Sequence, residues 1–203
     1  MMFSIERHVV GSYRANCYVL RSGGQVLVVD PGDEPARLID AIGEADVTDI
    51  VLTHCHCDHI GAVNELVERY CARVSIGERD VVGLADPHLS GFDEEGRDYR
   101  VEHCDRALAE GDVVSWGEDR LRVVATPGHT PGSICLHGAG LMFTGDTLFA
   151  GGVGRTDFLR GDAQAMRESC ARLATFPPAT VILPGHGPRS RIEVERAYNP
   201  WLA

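Results

Sequence analysis

The sequence lacks the features that mark exported and membrane proteins. Its 203 residues contain no apolar run long enough to span a bilayer. The first residues, 1–11, alternate apolar and charged side chains, which predicts a strand rather than a signal peptide. The number of cysteines, seven, is odd, and their spacing shows no disulfide framework. We therefore expect a cytoplasmic protein with reduced thiols and no association with a membrane.

Positive charge is also scarce. Lysine and arginine together number 19 against 30 acidic residues, which gives a formal net charge of −11. Such an excess repels a phosphate backbone, so we expect no nucleic-acid partner. The composition, 44% hydrophobic and 24% charged, is typical of a globular protein with a sizeable core. At this length we expect one domain over residues 1–203, and the oligomeric state stays open.

Short apolar runs along the chain predict strands, and longer periodic segments predict helices. The predicted strands are 3–10, 16–20, 25–29, 49–52, 73–76, 112–115, 121–125, 133–137, 141–143 and 181–183. The predicted helices are 35–45, 62–70 and 164–173, with a short helix starting near Glu78. Strands that first pair as hairpins and then alternate with helices predict an α/β fold with a mixed sheet and helices on its outer faces.

One long segment, 86–105, has no helical or strand periodicity. Proline, glycine and a run of acidic residues interrupt it. Long loops in compact domains tend to be active-site lids or surface loops, so we expect one of these here. His88 and His103 lie in this segment. A single histidine on a loop is more often solvated than a ligand, so neither is included in the site.

The densest group of chemically active side chains is the segment Thr-His-Cys-His-Cys-Asp-His-Ile-Gly at 53–61. It follows a short apolar run that predicts a buried strand, and open α/β sheets usually build their sites on the loops leaving such strands. In an extended chain alternate side chains share a face. We therefore expect His54, His56 and Asp58 to converge. His59 follows as the chain turns toward the next helix.

Imidazole nitrogens and carboxylate oxygens bind zinc, iron and manganese, so this segment predicts a metal site with open positions. One alternative is a surface cluster of polar residues without a metal. Another is a structural zinc held by Cys55 and Cys57. The alternation disfavours that second alternative, because it turns both cysteines to the opposite face.

The same arrangement recurs at the ends of other predicted strands. In each case small turn residues follow the strand and one metal-binding type of side chain stands beside them, at Asp30, His129, Asp146 and His186. A shared metal site gives these positions a common cause. For Asp30 two interpretations stay open. It either forms a turn with the proline and glycine that follow, or orients a metal-bound histidine.

Together these residues resemble the metallo-β-lactamase superfamily. The resemblance rests on the His-x-His-x-Asp-His motif at 54–59 and the later isolated residues, and it spans most of the chain. It implies an αββα sandwich, in which two mixed β-sheets carry helices on their outer faces. It also implies two divalent metal ions. Zinc is favoured, and iron or manganese suits the same donors.

In the pattern of this superfamily, each metal ion has its own set of ligands. The first ion is held by His54, His56 and His129, the second by Asp58, His59 and His186, and Asp146 bridges both. Within the superfamily the chain resembles the small glyoxalase II-like hydrolases, through the segments 145–149, 151–157 and 199–202. An aspartate at 146 is unlike true β-lactamases. The helical C-terminal domain that helps full-length glyoxalase II to bind glutathione is missing, so the thiol carrier is open.

The resemblance and the donor set predict hydrolysis of a small-molecule thioester, such as an S-2-hydroxyacylglutathione. Metal binding lowers the pKa of water from about 15.7 to near 7, so a hydroxide bridging both ions would attack the carbonyl. Asp58 and Asp146 would act catalytically by orienting that hydroxide, and Asp58 would also accept its proton. Arg155 is the candidate for binding a substrate carboxylate. Alternatively it only pairs with Asp157.

Two other reactions fit the same scaffold. A persulfide dioxygenase would use a single iron on His54, His129 and Asp146, and the remaining ligands do not exclude it. A lactone hydrolase would use the same hydroxide chemistry as the thioester hydrolase. Metal content and oxygen uptake distinguish the first alternative, and the choice of substrate distinguishes the second.

Overall fold

The structure, a computed structural model, describes residues 3–202, and in that range the chain forms two six-stranded β-sheets. The first contains β1 (Ser4–Val10), β2 (Ala15–Ser22), β3 (Gln25–Val29), β4 (Asp46–Leu52), β5 (Arg73–Gly77) and β6 (Arg106–Leu108). The second contains β7 (Val113–Trp116), β8 (Asp119–Ala125), β9 (Ile134–Gly138), β10 (Leu141–Gly145), β11 (Val181–Pro184) and β12 (Ser190–Arg191). In both sheets, strands that follow one another in the chain are neighbours in space.

Helices connect and flank these strands. They are α1 (Pro35–Ile42), α2 (Cys57–Ile60), α3 (Val63–Tyr70), α4 (Val81–Leu84), α5 (Pro87–Ser90), α6 (Ala163–Leu173) and α7 (Ile192–Tyr198), and a 3₁₀ turn, Glu78–Asp80, precedes α4. The start of α6 shows how the sequence sets a boundary. The Asp162 carboxylate accepts hydrogen bonds from the backbone N–H groups of Gln164 and Ala165, which would otherwise have no partner inside the helix.

Both sheets are mixed. In the first, β1, β2 and β3 pair antiparallel and β3 to β6 pair parallel. In the second, β7 to β10 are antiparallel, β10 and β11 are parallel, and β11 and β12 are antiparallel. The parallel pairs matter for the site, because parallel neighbours end at the same edge of a sheet.

The layers follow from the alternation of side chains along the strands. On β2, Tyr18 and Leu20 belong to the apolar cluster between the two sheets, and Cys17 and Val19 belong to the cluster under α1 and α3. A third cluster lies beneath α6 and α7 on the outside of the second sheet. The order is therefore helix, sheet, sheet, helix, which confirms the predicted αββα fold.

Aromatic side chains fill much of the space between the sheets. Trp116 packs edge to face on Phe3, and Tyr18 packs the same way on Phe143, both at 5.2 Å between ring centroids. Each ring buries a large apolar area, and edge-to-face pairs add about 0.5–1.5 kcal/mol beyond that burial. These packed rings fix the distance between the two sheets. They therefore also fix the relative positions of the loops at the sheet edges.

The segment 86–105 is more structured than its sequence indicates. It contains α5, and Phe92 and Val101 are buried in the cluster beneath the outer helices. The Tyr99 hydroxyl accepts a hydrogen bond from the Asn64 backbone at 3.0 Å, which fastens the segment to α3. The strands β6 and β12 were not predicted, because two or three residues are too few to show a period.

No helix between residues 3 and 202 combines the length and the apolar character needed to cross a bilayer.

Candidate metal centre

Five loops meet at one edge of the two sheets. The loops after β3 and β4 carry Asp30 and the segment 53–59, and the loops after β8, β10 and β11 carry His129, Asp146 and His186. Because β3 and β4 are parallel, and so are β10 and β11, the residues that follow each pair emerge side by side. The structure thus brings together all seven side chains that the sequence assigns to the metals.

The motif at 54–59 turns into a helix earlier than expected. The helix α2 begins at Cys57, and His56 is its N-cap residue with extended φ and ψ of −70° and 148°. The prediction that Asp58 continues an extended alternation was therefore wrong. Asp58 and His59 reach the centre from the first turn of α2, which is too short to show helical periodicity in the sequence.

The cysteines of the motif take no part in the centre. Cys55 and Cys57 are free thiols packed into the apolar cluster under the outer helices. In the described part of the chain, the groups of side chains that could hold a metal consist of histidine and aspartate alone. The alternative of a structural zinc on these two thiolates has no support in this geometry.

Side chains from distant parts of the chain form three groups whose candidate ligand atoms lie within 4.8 Å of one another. They are His54 with His56 and His129, His54 with His59 and Asp146, and Asp58 with His59 and His186. In the first group, His56 Nδ1 and His129 Nε2 are 2.7 Å apart. In the third, His186 Nε2 is 3.1 Å from Asp58 Oδ2 and 3.3 Å from His59 Nε2.

Asp146 lies between the groups. Its Oδ1 is 3.4 Å from His59 Nε2, and its Oδ2 is 3.6 Å from His129 Nε2 and 3.5 Å from His186 Nε2. The residue before His186 is a glycine because a Cβ there would lie 2.3 Å from Asp146 Oδ1. Gly185 thus lets two loops of the second sheet approach closely. One carboxylate therefore faces donors of both sets.

The polar atoms at the centre fit a cation. Among the described residues, His54 Nε2 and Asp146 Oδ1 are buried and have no hydrogen-bond partner. A buried acceptor without a partner costs about 1–3 kcal/mol, so such atoms are rare in folded proteins unless something binds them. Both atoms point into the space that the other donors enclose. Nitrogen and oxygen donors of this type suit zinc, iron and manganese.

Asp30 holds two of the ligand residues. Its Oδ2 is 3.0 Å from His59 Nδ1 and accepts a hydrogen bond from the Thr53 hydroxyl at 2.7 Å, while Oδ1 accepts one from the Thr53 backbone N–H at 2.7 Å. The same hydroxyl lies 3.1 Å from His54 Nδ1. Asp30 has a φ of 52°, a left-handed conformation that aspartate tolerates. The carboxylate therefore contacts one ligand imidazole directly and reaches a second, His54, through the Thr53 hydroxyl.

His129 is oriented by backbone. Its Nδ1 lies 2.7 Å from the carbonyl oxygen of Arg155, to which an Nδ1–H donates. That hydrogen bond fixes the tautomer in which Nε2 carries the lone pair facing His56 and Asp146. The loop carrying Arg155 thus supports the centre through its main chain, which sequence reasoning about side chains does not reveal.

Burial and neighbouring charges set the protonation of the cluster. Burial lowers the pKa of His54 well below its usual value, and burial with the nearby His129 lowers the pKa of His56 to about 3. Burial acts on His59 in the same direction, but Asp58 and Asp146 raise its pKa well above the usual value. Neutral imidazoles offer lone pairs to a metal. The space between the two carboxylates favours positive charge, whether a proton or a metal ion.

Asp80 is a buried carboxylate that the sequence analysis missed. It follows β5 by three residues and is 0% exposed. Its Oδ2 accepts hydrogen bonds from the Thr130 hydroxyl at 2.5 Å and the Cys55 N–H at 3.3 Å, and its Oδ1 accepts one from Gly132 N–H at 2.9 Å. Cys55 lies between two ligand histidines and Thr130 follows His129. Asp80 therefore connects two ligand-bearing loops through hydrogen bonds. In the sequence, the feature that could have indicated this role is the position of Asp80 just after a predicted strand.

Replacing Asp80 with alanine is expected to lower the free energy of unfolding by about 2–4 kcal/mol, because the Gly132 and Cys55 N–H groups lose their acceptor while buried. Urea titration of the wild type and the variant measures this difference. Asp98→Ala, at an exposed aspartate that pairs with Arg100, is the control and should stay within about 0.5 kcal/mol. Equal stability of the two variants would contradict the role given to Asp80.

A cavity of about 430 Å³ opens onto the centre. Its walls include the apolar side chains Tyr13, Leu89, Phe149, Val153, Phe158 and Leu159. The Phe158 ring packs edge to face against His56 at 5.5 Å and against His129 at 5.8 Å between centroids. An apolar wall directly beside candidate metal ligands lowers the local polarity, which strengthens electrostatic interactions there.

Arg155 also lines this cavity, and its side chain is engaged. Its Nε and one terminal nitrogen bind the two Asp157 oxygens, each at 2.9 Å, and its guanidinium lies 4.1 Å over the Phe158 ring. The interpretation that Arg155 pairs with Asp157 therefore describes the observed contact. Binding of a substrate carboxylate by Arg155 stays a prediction.

The two histidines of the segment 86–105 lie apart from the cluster. His88 is at the cavity mouth, exposed, with its Nδ1 2.8 Å from Asp93 Oδ2, and that carboxylate raises the pKa of the imidazole. His103 is exposed.

We expect His88→Ala to keep the metal content of the wild type, measured by atomic emission on purified protein. Loss of a metal ion would mean that this segment supplies a ligand.

A sequence profile of the metallo-beta-lactamase superfamily matches residues 10–186, and the chain belongs to that superfamily. The probable metallo-hydrolase YqgX of Bacillus subtilis is 38% identical over 97% of this chain and 96% of its own length. The hydroxyacylglutathione hydrolase GloC of Haemophilus influenzae is 31% identical over 98% of both. The similarity to such hydrolases confirms the resemblance drawn from the motifs.

Solved structures show the same fold. The B3 metallo-beta-lactamase BLEG-1 superposes with a TM-score of 0.92 at 30% identity over 98% of this chain and 99% of its own. TTHA1623 in a di-iron-bound form gives 0.88 at 32% identity, covering 97% and 100%. ETHE1 from Myxococcus xanthus gives 0.81 at 28% identity, covering 97% and 83%. The chain thus has the fold of these proteins over almost its whole length.

Proposed function

We propose that this protein is a metal-dependent thioester hydrolase of the hydroxyacylglutathione hydrolase type, with two divalent ions at the centre and zinc as the favoured metal. The observation that carries the proposal is the meeting of seven histidine and aspartate side chains, five of which line an apolar cavity. Similarity to GloC along almost the whole chain supports the choice of reaction class.

The donors divide between two ions. We assign the first ion to His54, His56 and His129, the second to Asp58, His59 and His186, and Asp146 to both. When bound, such ions act as Lewis acids on a carbonyl oxygen and lower the pKa of water. The chain supplies the orientation. Asp30 and the Arg155 carbonyl hold the imidazoles of His59 and His129, so that their Nε2 atoms face the centre.

Asp58 is our candidate for accepting the proton of the attacking water. Burial would raise its pKa, but His59 and the hydrogen bond from His186 lower it below the usual value, so the carboxylate is ionised at neutral pH. A thiol leaving group has a pKa near 8.5 and departs as a thiolate without a strong acid. That matches a cavity in which the charged lining residues outside the candidate ligands, His88, Glu94 and Arg155, are exposed.

A persulfide dioxygenase with a single iron is the second candidate. The structural likeness to ETHE1 favours keeping it, and the di-iron form of TTHA1623 adds that a similar protein binds iron, although at two positions. It would use His54, His129 and Asp146 on one iron. Lactone hydrolysis is a further candidate, and the likeness to BLEG-1 adds β-lactam hydrolysis to the reactions worth measuring.

The experiment combines metal analysis of freshly purified protein with four assays. They are thiol release from a thioester panel that includes S-lactoylglutathione, oxygen uptake with glutathione persulfide, lactone opening, and hydrolysis of a chromogenic cephalosporin. We expect two metal equivalents and thiol release as the fastest reaction. One iron with oxygen uptake would favour the dioxygenase, and thioesters left intact beside a turned-over lactone or β-lactam would contradict the proposal.

Removal of the metals should abolish thiol release, because the proposed reaction depends on metal ions to activate water and polarise the carbonyl. Dialysis against a chelator followed by stoichiometric zinc is expected to restore at least about half of the original rate, since ligand sites held by packed loops survive metal loss. Circular dichroism of the metal-free protein controls for unfolding. Full activity after verified chelation would be incompatible with a metal-dependent hydrolase.

A further inference from the structure

The C-terminal segment 199–202 contributes none of the candidate metal ligands, yet its first residue is fully buried. Asn199 directly follows α7 and is 0% exposed, and Glu195, one helical turn earlier, is 2% exposed. Buried amide and carboxylate groups are costly unless they are hydrogen-bonded. The partners of these two side chains therefore indicate what they do.

Both side chains bind one turn in the wall of the cavity, residues 149–152, which we call the wall turn. Glu195 Oε2 accepts a hydrogen bond from the Gly151 backbone N–H at 2.7 Å, and Asn199 Nδ2 donates to the Gly152 carbonyl oxygen at 3.0 Å. The two side chains also bind each other, since Asn199 Nδ2 donates to Glu195 Oε2 at 2.9 Å. The end of α7 thus holds the tip of the wall turn.

The wall turn places an aromatic ring beside the metal centre. Phe149 lines the cavity, and its ring lies edge to face against the His186 imidazole with 5.9 Å between centroids. The Phe149 backbone N–H donates to the Gly152 carbonyl oxygen at 2.9 Å, which closes the turn. That oxygen is the same one that Asn199 binds. The position of the Phe149 ring therefore depends on contacts made by the end of α7.

The base of the same loop is fastened independently of α7. The Gly154 backbone N–H donates to the Asp146 carbonyl oxygen at 2.9 Å, and Leu148 is 0% exposed in the apolar cluster on the outside of the second sheet. Asp146 therefore keeps its place without the contacts of Glu195 and Asn199, whereas the tip of the loop depends on them.

A further contact connects Glu195 to the loop that carries His186. The Ser190 hydroxyl donates to Glu195 Oε1, and Ser190 begins β12, the strand that follows this loop. One carboxylate thus binds the wall turn with one oxygen and the end of the His186 loop with the other. It thereby couples the positions of the Phe149 and His186 rings.

We propose that Glu195 and Asn199 are positioning residues that set the apolar wall on which the substrate packs, and thereby determine how tightly the substrate binds. This inference rests on the proposed thioester hydrolysis. Without these contacts the wall turn would be ordered only when substrate binds, and the entropic cost of ordering would weaken binding. The metal ligands would keep their places, so kcat would change little.

Asn199→Ala removes the donor to Gly152 and Glu195. We expect KM for S-lactoylglutathione to rise about threefold to tenfold, because the wall must then be ordered on binding, while kcat stays within about twofold. The metal content should be that of the wild type. Rates are measured at a temperature at which circular dichroism shows the variant to be folded. A wild-type KM in the folded variant would overturn the inference.

Substitutions at Glu195 test the same contacts from the other side. Glu195→Gln keeps an acceptor for Gly151 and Asn199, and its amide nitrogen can donate to the Ser190 hydroxyl, so its KM should stay close to that of the wild type. Glu195→Ala has no acceptor and should raise KM as Asn199→Ala does. A wild-type KM in folded Glu195→Ala would contradict the positioning role.

Ser22→Ala is the matched control for loss of stability. The buried Ser22 hydroxyl donates to Asp119 Oδ2 at 2.7 Å, at the edge of the sheets opposite the metal centre. Its loss should lower the midpoint of thermal unfolding and leave KM unchanged. An equal rise of KM in this variant would show that KM follows stability, which would overturn the inference.

Amide hydrogen exchange, followed by mass spectrometry, tests the contacts without substrate. In the wild type, peptides that span the wall turn should exchange at least about tenfold more slowly than an unstructured peptide of the same sequence. Asn199→Ala should remove this protection and leave peptides of β4 unchanged. An unprotected wall turn in the wild type would overturn the inference even if no variant folds.

Failure of the inference and failure of the proposed function give different results. Thiol release by the wild type, with an unchanged KM in folded Asn199→Ala and Glu195→Ala, would overturn the inference alone. A metal-loaded wild type that releases thiol from no thioester of the panel would overturn the proposed function, and the role in substrate binding with it.

Discussion

Replacing His56 with alanine is expected to remove one of two metal ions and to reduce thioester hydrolysis by at least about 100-fold, since even residues that only orient metal ligands contribute 10–100-fold. His56 Nδ1 lies 2.7 Å from His129 Nε2, and both imidazoles enter the first group of donors. Loss of His56 removes one of three imidazoles and leaves His54, His129 and the shared Asp146, so the ion there is held more weakly and is lost on purification.

Metal content by atomic emission and kcat by thiol release measure the two parts of this result. His103→Ala, at an exposed histidine away from the cluster, is the matched control and should keep both values. A His56→Ala protein with unchanged metal stoichiometry would show that the first position is not built as assigned.

Replacing Asp30 with asparagine is expected to weaken metal binding by about 10–100-fold at the position that includes His59. Asparagine tolerates the φ of 52° at this residue, so the backbone turn is preserved. Its amide has one acceptor oxygen in place of two. In the wild type, one Asp30 oxygen accepts from the Thr53 backbone N–H and the other accepts from the Thr53 hydroxyl and faces His59 Nδ1. The single oxygen of asparagine can keep only one of these two sets of contacts.

Competition with a coloured chelator measures the affinity of each position. Asp33→Asn, in the same loop, is the control, because its carboxylate bonds only the neighbouring Glu34 backbone among the described hydrogen bonds. If Asp30→Asn binds metal as tightly as Asp33→Asn, the contact of Asp30 with His59 does not contribute to metal binding. Asp30 then serves as a turn former.

Much of the fold was accessible from the sequence because its strands are short, apolar and bounded by glycine, proline and aspartate. The β4 strand and the motif that follows it illustrate this, since a buried strand delivers its ligands at a sheet edge. The position of His186 was predictable for the same reason. Each of these predictions depends on local sequence followed by a general rule of sheet topology.

The features that were missed depend on contacts between distant segments. Asp80 reads locally as part of a short helix, and its function as a link appears only when Thr130 and Cys55 are close in space. Phe92 lies in a segment rich in glycine and charge, so its burial could not be read from periodicity. The early start of α2 was missed because four residues make a single turn.

The most direct measurement is X-ray diffraction at the metal absorption edge, from crystals of the full chain grown with zinc. We expect two anomalous peaks, one enclosed by His54, His56 and His129 and one enclosed by Asp58, His59 and His186, with Asp146 in contact with both. A single peak, or peaks bound by other side chains, would contradict a two-metal centre built from these seven residues.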